Sequence, residues 1–160
     1  MDANPDWIDL LSALLKENVR FIVVGAHAVA YYTEPRYTKD LDIWVEPTAA
    51  NAAKLLAALI NFGAPTSNVS LADFTNPKVI FQIGVEPQRI DILMAIDGVT
   101  FAKAWRDRVK ASFGPLKVAI LSKADLLRTK KAVGRPQDIL DLARLSGARK
   151  KRVLSKRRRT

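Results

Sequence analysis

Apolar residues change their spacing several times along the chain, and each change predicts a new element. After Asp6, a candidate helix N-cap, Trp7, Ile8, Leu11, Leu14 and Leu15 recur on one helical face as far as Asn18. Arg20 to Gly25 then forms a short β-branched run, which predicts a strand. Ala26 to Tyr32 predicts a compact helix broken by Pro35, and Asp40 to Glu46 alternates polar and apolar residues like a strand that begins with acids. Pro47 and Thr48 open an Ala- and Leu-rich helix that reaches Phe62 and stops at Gly63, the residue type expected just past a helix end.

The second half reads in the same way. Lys78 to Gly84 and Gln88 to Ile96 predict a hairpin joined by Val85, Glu86 and Pro87. Phe101 to Val109 predicts an amphipathic helix with Trp105 facing inward, and Leu116 to Leu121 a last short strand. Ser122 followed by Asp125 resembles a capping box; Gly134 and Pro136 separate the helix it opens from a final one that runs to about Leu145 and ends at Gly147. No internal repeat is visible. Helices interleaved with strands, including an adjacent strand pair, predict an α/β domain: a mixed β-sheet flanked by helices.

Composition narrows the chemistry. A length of 160 residues with 49% apolar residues suits one domain with a sizeable core. Cysteine is absent and His27 is the sole histidine, which excludes a disulfide scaffold, thiol catalysis, a Cys-ligated zinc site and a histidine metal cluster. Any metal must be held by carboxylates. No secretion signal is visible, and the longest apolar run, Phe21 to Tyr32, falls well short of the roughly 20 residues that cross a bilayer. The expectation is a soluble cytoplasmic protein with no membrane partner; the sequence carries no signal for its oligomeric state.

Charge divides the chain in two. The net charge is +10, from 26 Lys and Arg against 16 Asp and Glu. Arg149, Lys150, Lys151, Arg152, Lys156, Arg157, Arg158 and Arg159 sit in a stretch without acids, and without residues 149–160 the body carries 18 basic against 16 acidic groups, a net +2. The expected organisation is therefore a globular body over 1–148 and a basic, disordered tail over 149–160. Such a tail serves either as a solubilising end or as a salt-sensitive contact to the phosphates of RNA or DNA.

The body's chemistry centres on acids placed in strands. Asp40 and Asp42, two residues apart, project from one face of their strand while Leu41 and Ile43 enter the other. Asp91 lies within the apolar run Arg89-Ile-Asp-Ile-Leu, where packing alone gives an ionised group little reason to be. Three such oxygen donors suit Mg²⁺ or Mn²⁺. By itself an Asp-x-Asp at a strand mouth is more often a turn or cap cluster. By spacing alone Lys130 reads as a solvated helix face, and Asp138 equally as an acid favoured by the first turn of a helix. His27 is at least as well explained as a structural histidine, Asp141 as a salt-bridge acid, and Trp44 and Trp105 as core aromatics.

Matching blocks occur in order: Val23-Val24-Gly25-Ala26, continuing as Gly25-Ala-His-Ala-Val-Ala; Pro35-Arg-Tyr-Thr-Lys-Asp-Leu-Asp-Ile-Trp-Val, with thirteen residues between Ala26 and Asp40; and Leu126-Leu-Arg-Thr-Lys-Lys-Ala-Val-Gly-Arg-Pro-Gln-Asp-Ile-Leu-Asp-Leu. Over about residues 20–145 this resembles the DNA polymerase β-like nucleotidyltransferase superfamily, and within it the small prokaryotic branch related to AbiEii toxins. Ala26 departs from the pattern, since many members have a second Gly or a Ser there. The resemblance implies a nucleotidyltransferase fold and an enzyme that moves a nucleoside monophosphate from an NTP substrate to a hydroxyl on RNA, such as tRNA, or on protein. It implies Mg (or Mn) held by Asp40, Asp42 and Asp91, nucleotide contacts from Gly25, Ala26, Arg36 and Lys130, and catalytic roles for Lys130 and Asp138 beside the three acids. A toxin–antitoxin or phage-defence role with a cognate antitoxin is the implied biology. The alternative is a catalytically silent module of the same fold that binds nucleotide or nucleic acid.

Overall fold

In the computed structural model, residues 4–34 and 38–158 are described, with side chains as far as residue 147. Arg36 and the basic side chains from Arg149 to Arg159 thus lie outside the described residues. The elements run in the order α1 (Pro5–Lys16), β1 (Phe21–Val24), α2 (Gly25–Tyr32), β2 (Asp40–Val45), α3 (Ala49–Phe62), a 3₁₀ turn (Leu71–Thr75), β3 (Ile80–Ile83), β4 (Arg89–Leu93), α4 (Phe101–Arg106), β5 (Val109–Phe113), β6 (Leu116–Ile120), α5 (Lys123–Val133) and α6 (Pro136–Arg158). The strands form one sheet of order β3-β4-β2-β1-β6-β5. The pairs β1/β6 and β2/β4 are parallel, and β1/β2, β3/β4 and β5/β6 are antiparallel, which makes the expected mixed sheet.

Local chemistry sets the boundaries. Asn4, not Asp6, caps α1: its side chain accepts from the Asp6 amide, with Pro5 as the first helical residue. Thr48 caps α3 by accepting from the Asn51 amide, and Gly63 ends it in the left-handed conformation at φ 94°. Ser122 accepts from the Asp125 amide to start α5, but the Asp125 carboxylate turns to Lys103 and Arg128, so only half of the expected capping box forms.

Two element boundaries also differ from expectation. The helix from Phe101 ends at Arg106, and Val109 begins a strand that was not anticipated: β5 and β6 form a hairpin whose two-residue turn opens with Gly114 at φ 57°. The last helix continues past Gly147 to Arg158. Gly147 is helical there, unlike the left-handed Gly134 that closes α5, and the Lys and Arg that follow are good helix formers.

Leu10, Leu11 and Leu14 of α1, Leu55 and Leu59 of α3, and the strand residues Ile22, Leu41, Ile43 and Ile92 are fully buried in one core. Trp44 belongs to it as expected, edge-on to Phe101. Trp105 is only half-buried, stacked on Phe101 with the Arg108 guanidinium 3.9 Å from its ring centroid. Among the described residues no helix is long and apolar enough to cross a membrane.

Candidate active site

Strand register brings the acids together. β2 and β4 run parallel with Asp42 opposite Asp91 and Asp40 opposite Arg89. Alternation sends all four side chains to one face, while Leu41, Ile43, Ile90 and Ile92 are buried on the other. On its other edge β2 pairs with β1, with Asp42 beside Val24, so the chain turns into α2 at Gly25 directly against the Asp42 carboxylate. Gly25 has φ 69°, and a Cβ at this position would collide with Asp42 Oδ2. Glycine is required twice over, by its backbone conformation and by the close approach of the acid. Ala26 follows in the first turn of α2, whose positive dipole end faces this corner.

The Asp42 carboxyl is pushed up to about 6, first by burial and then by the charges of Asp91 and Asp40, with Arg89 and Lys130 acting in the opposite direction. Its surroundings therefore hold more negative charge than the nearby cations offset. Arg89 supplies part of that offset through three contacts, with Nη2 2.8 Å from Asp40 Oδ2, Nε 3.0 Å from Asp91 Oδ1 and Nη2 3.3 Å from Asp91 Oδ2. The second Asp40 oxygen, Oδ1, is buried with no hydrogen-bond partner among the described residues.

These features bear on the expected metal. Hard carboxylate oxygens, an Asp40 Oδ1 without a partner among the described residues, and an acid raised first by burial and then by its like-charged neighbours fit a divalent cation in kind. As the side chains stand, no group of three acids or imidazoles among the described residues is arranged to hold one, and a guanidinium joins Asp40 to Asp91 instead.

Lys130 is buried on α5 and bonds two acids of α6, with Nζ 3.1 Å from both Asp138 Oδ1 and Asp141 Oδ2. Arg135 closes the network, its Nε 2.8 Å from Asp138 Oδ2 while its backbone amide donates to the same oxygen. Burial drives the Asp138 carboxyl up, but hydrogen bonds from Arg135 and Lys130 outweigh it and hold the group below the usual range. Lys130 is thus neither solvated nor isolated, and its charge and that of Arg135 both act on Asp42. The carboxylate cluster and the Lys130-Asp138-Asp141 network lie within electrostatic reach of one another.

His27 is buried edge-on to Trp7, tilted against Phe113 and hydrogen-bonded through Nε2 to the Thr38 hydroxyl. It joins α2 to the segment leading into Asp40. Sequence reasoning missed Arg89 and Arg135 as members of the site. A signal existed for Arg89, which sits two residues before Asp91 and so shares its face of the strand.

Neither known family models nor curated proteins match this chain. Solved structures do. The lincomycin-bound lincosamide antibiotic adenylyltransferase LnuA is similar with a TM-score of 0.59 at 16% identity, over 92% of this chain and 99% of that one. A candidate nucleotidyltransferase from Thermotoga maritima aligns with a TM-score of 0.49 at 15% identity over 98% of this chain and 96% of that one. The likeness to LnuA establishes the nucleotidyltransferase fold as a single mixed α/β domain.

Proposed function

We propose that the protein is a divalent-metal-dependent nucleotidyltransferase that moves a nucleoside monophosphate from an NTP to an acceptor hydroxyl, with loss of pyrophosphate. The observation that carries this reading is the in-register meeting of Asp40, Asp42 and Asp91 beside the Gly25 turn, with an uncompensated oxygen on Asp40. Asp40, Asp42 and Asp91 would hold Mg²⁺ or Mn²⁺, which when bound neutralises phosphate charge and lowers the barrier to in-line displacement at the α-phosphorus.

The chain's own residues do the rest. Gly25 and Ala26, at the positive end of α2, offer backbone amides to the phosphates, and glycine's missing side chain keeps that corner open to Asp42. Asp91 orients the attacking hydroxyl. Lys130 contributes positive potential at Asp42 while its bonds to Asp138 and Asp141 fix its position. Asp138 acts through Lys130 and Arg135. Arg36 is assigned to the phosphates by the motif alone.

The basic segment 149–160 favours RNA as the acceptor, tRNA included, since its charges would draw any phosphate backbone. The AbiEii-like motifs favour a toxin or phage-defence role, with protein as the other acceptor class and an antitoxin as partner. The fold neighbour is named for a lincosamide, so small-molecule hydroxyls belong in any acceptor panel. The test is pyrophosphate release from NTP with Mg²⁺ and this panel: Asp42→Ala must lose it, and full retention would end the proposal. A second reading, a silent nucleotide- or nucleic-acid-binding module, is favoured by the Arg89 fork across Asp40 and Asp91 and by Ala26. It requires binding that survives Asp42→Ala with no transfer by the native protein.

A further inference from the structure

The carboxylates assigned above to a metal already carry a cation of the chain itself. Register puts Arg89 opposite Asp40, and alternation puts it on the same face as Asp91. Its guanidinium engages both oxygens of Asp91 and one of Asp40 at 2.8 to 3.3 Å. A divalent ion bound by these acids needs the same lone pairs. Arginine cannot give up its charge by deprotonation, so it can yield those oxygens only by moving. The side chain has room to do so: it is 29% exposed, and its Nη1 already lies 3.8 Å from the exposed Glu86 carboxylate in the turn between β3 and β4.

We propose that Arg89 is a resident counter-cation that closes the carboxylate site to free divalent ions, and that the ion enters only with a nucleotide, whose phosphates take over the displaced guanidinium. This rests on the metal-dependent reading of the site. It makes the order of loading a property of one side chain: the metal–nucleotide complex binds as a unit, because the nucleotide supplies the anionic partner that Arg89 loses. A bidentate guanidinium and a triphosphate are well matched for that exchange.

The test is Mn²⁺ binding followed by electron paramagnetic resonance, with and without a non-hydrolysable NTP analogue, for the native protein, Arg89→Gln and Arg89→Lys. Without nucleotide, Arg89→Gln should bind Mn²⁺ about tenfold more tightly than the native protein, and Arg89→Lys by an intermediate factor because it keeps the charge without the fork. With the analogue present the gain should vanish or reverse. Equal Mn²⁺ affinity in all three proteins without nucleotide would overturn the proposal, as would a gain that persists unchanged with the analogue. Should Arg89→Gln fail to fold by circular dichroism, Arg89→Lys carries the same comparison. If no protein binds Mn²⁺ under either condition, the metal-dependent reading itself falls and the exchange falls with it. Binding that is merely indifferent to Arg89 removes the exchange alone.

Discussion

Asp42 carries the sharpest conflict between stability and the function proposed for it. A carboxyl whose folded value is raised to about 6 from an ordinary 3.8 is protonated earlier in the folded chain than in the unfolded one. Its charge therefore opposes folding fully above pH 6, and the cost fades as the pH falls towards 3.8. The displacement corresponds to a cost on the order of 3 kcal/mol at neutral pH. Asp42→Asn should be more stable than the native protein at pH 8 and lose that advantage by about pH 4, as urea unfolding at the two pH values would show. A variant less stable at pH 8 would mean that the surrounding cations compensate Asp42 fully.

Gly25 is tied to the same acid. Gly25→Ala places a side chain in a left-handed residue, at about 1–2 kcal/mol, and drives it into the Asp42 carboxylate. The expected outcome is a folded but destabilised protein without nucleotide transfer; a fully active Gly25→Ala would contradict the close packing. Lys130 is the opposite case, a residue whose removal costs stability. Lys130→Met leaves the buried Asp138 and Asp141 without their shared cation and should cost about 3–5 kcal/mol in thermal or chemical unfolding. A loss below 1 kcal/mol would show that Arg135 and Gln137, which also bond these acids, suffice by themselves.

At the scale of elements, most of the architecture was legible because periodicity and caps agreed. The Thr48 and Gly63 signals bracket α3, and the alternation from Asp40 marks β2. β5 was missed because the apolar spacing from Phe101 runs on through Val109 without a Gly or Pro to interrupt it. The Gly114-Pro115 pair and the inward Ala111 and Phe113 were the available signal. Within the site, the pairing of Asp40 with Asp42 could be read from alternation within one strand. The register that sets Asp42 opposite Asp91, and Arg89 against Asp40, depends on pairing between distant segments that no local pattern encodes. The same limit hid the burial of Lys130, which is enclosed only because α6 returns to cover α5 with Asp138 and Asp141. Gly147 misled the reading of α6, since a glycine ends a helix only where it adopts the left-handed conformation.

For the molecule as a whole, charge asymmetry and the carboxylate site make separate claims. If the basic segment meets a nucleic-acid backbone, deleting residues 149–160 should weaken binding to single-stranded RNA at low salt. It should also flatten the slope of log affinity against log salt by up to about 6 for the eight charges removed. An unchanged slope in a filter-binding titration would make the tail a solubilising end. The central claim concerns the body and is tested most directly by label transfer. The native protein and an Asp40→Ala/Asp42→Ala variant are incubated with each NTP labelled at the α-phosphorus, Mg²⁺, and a mixture of total RNA and cell protein. Label that moves to RNA or protein only with the native chain is the predicted result, and it would identify nucleotide and acceptor together. No transfer by the native chain while it still binds NTP or RNA would contradict the enzyme and leave a binding module built on the same fold.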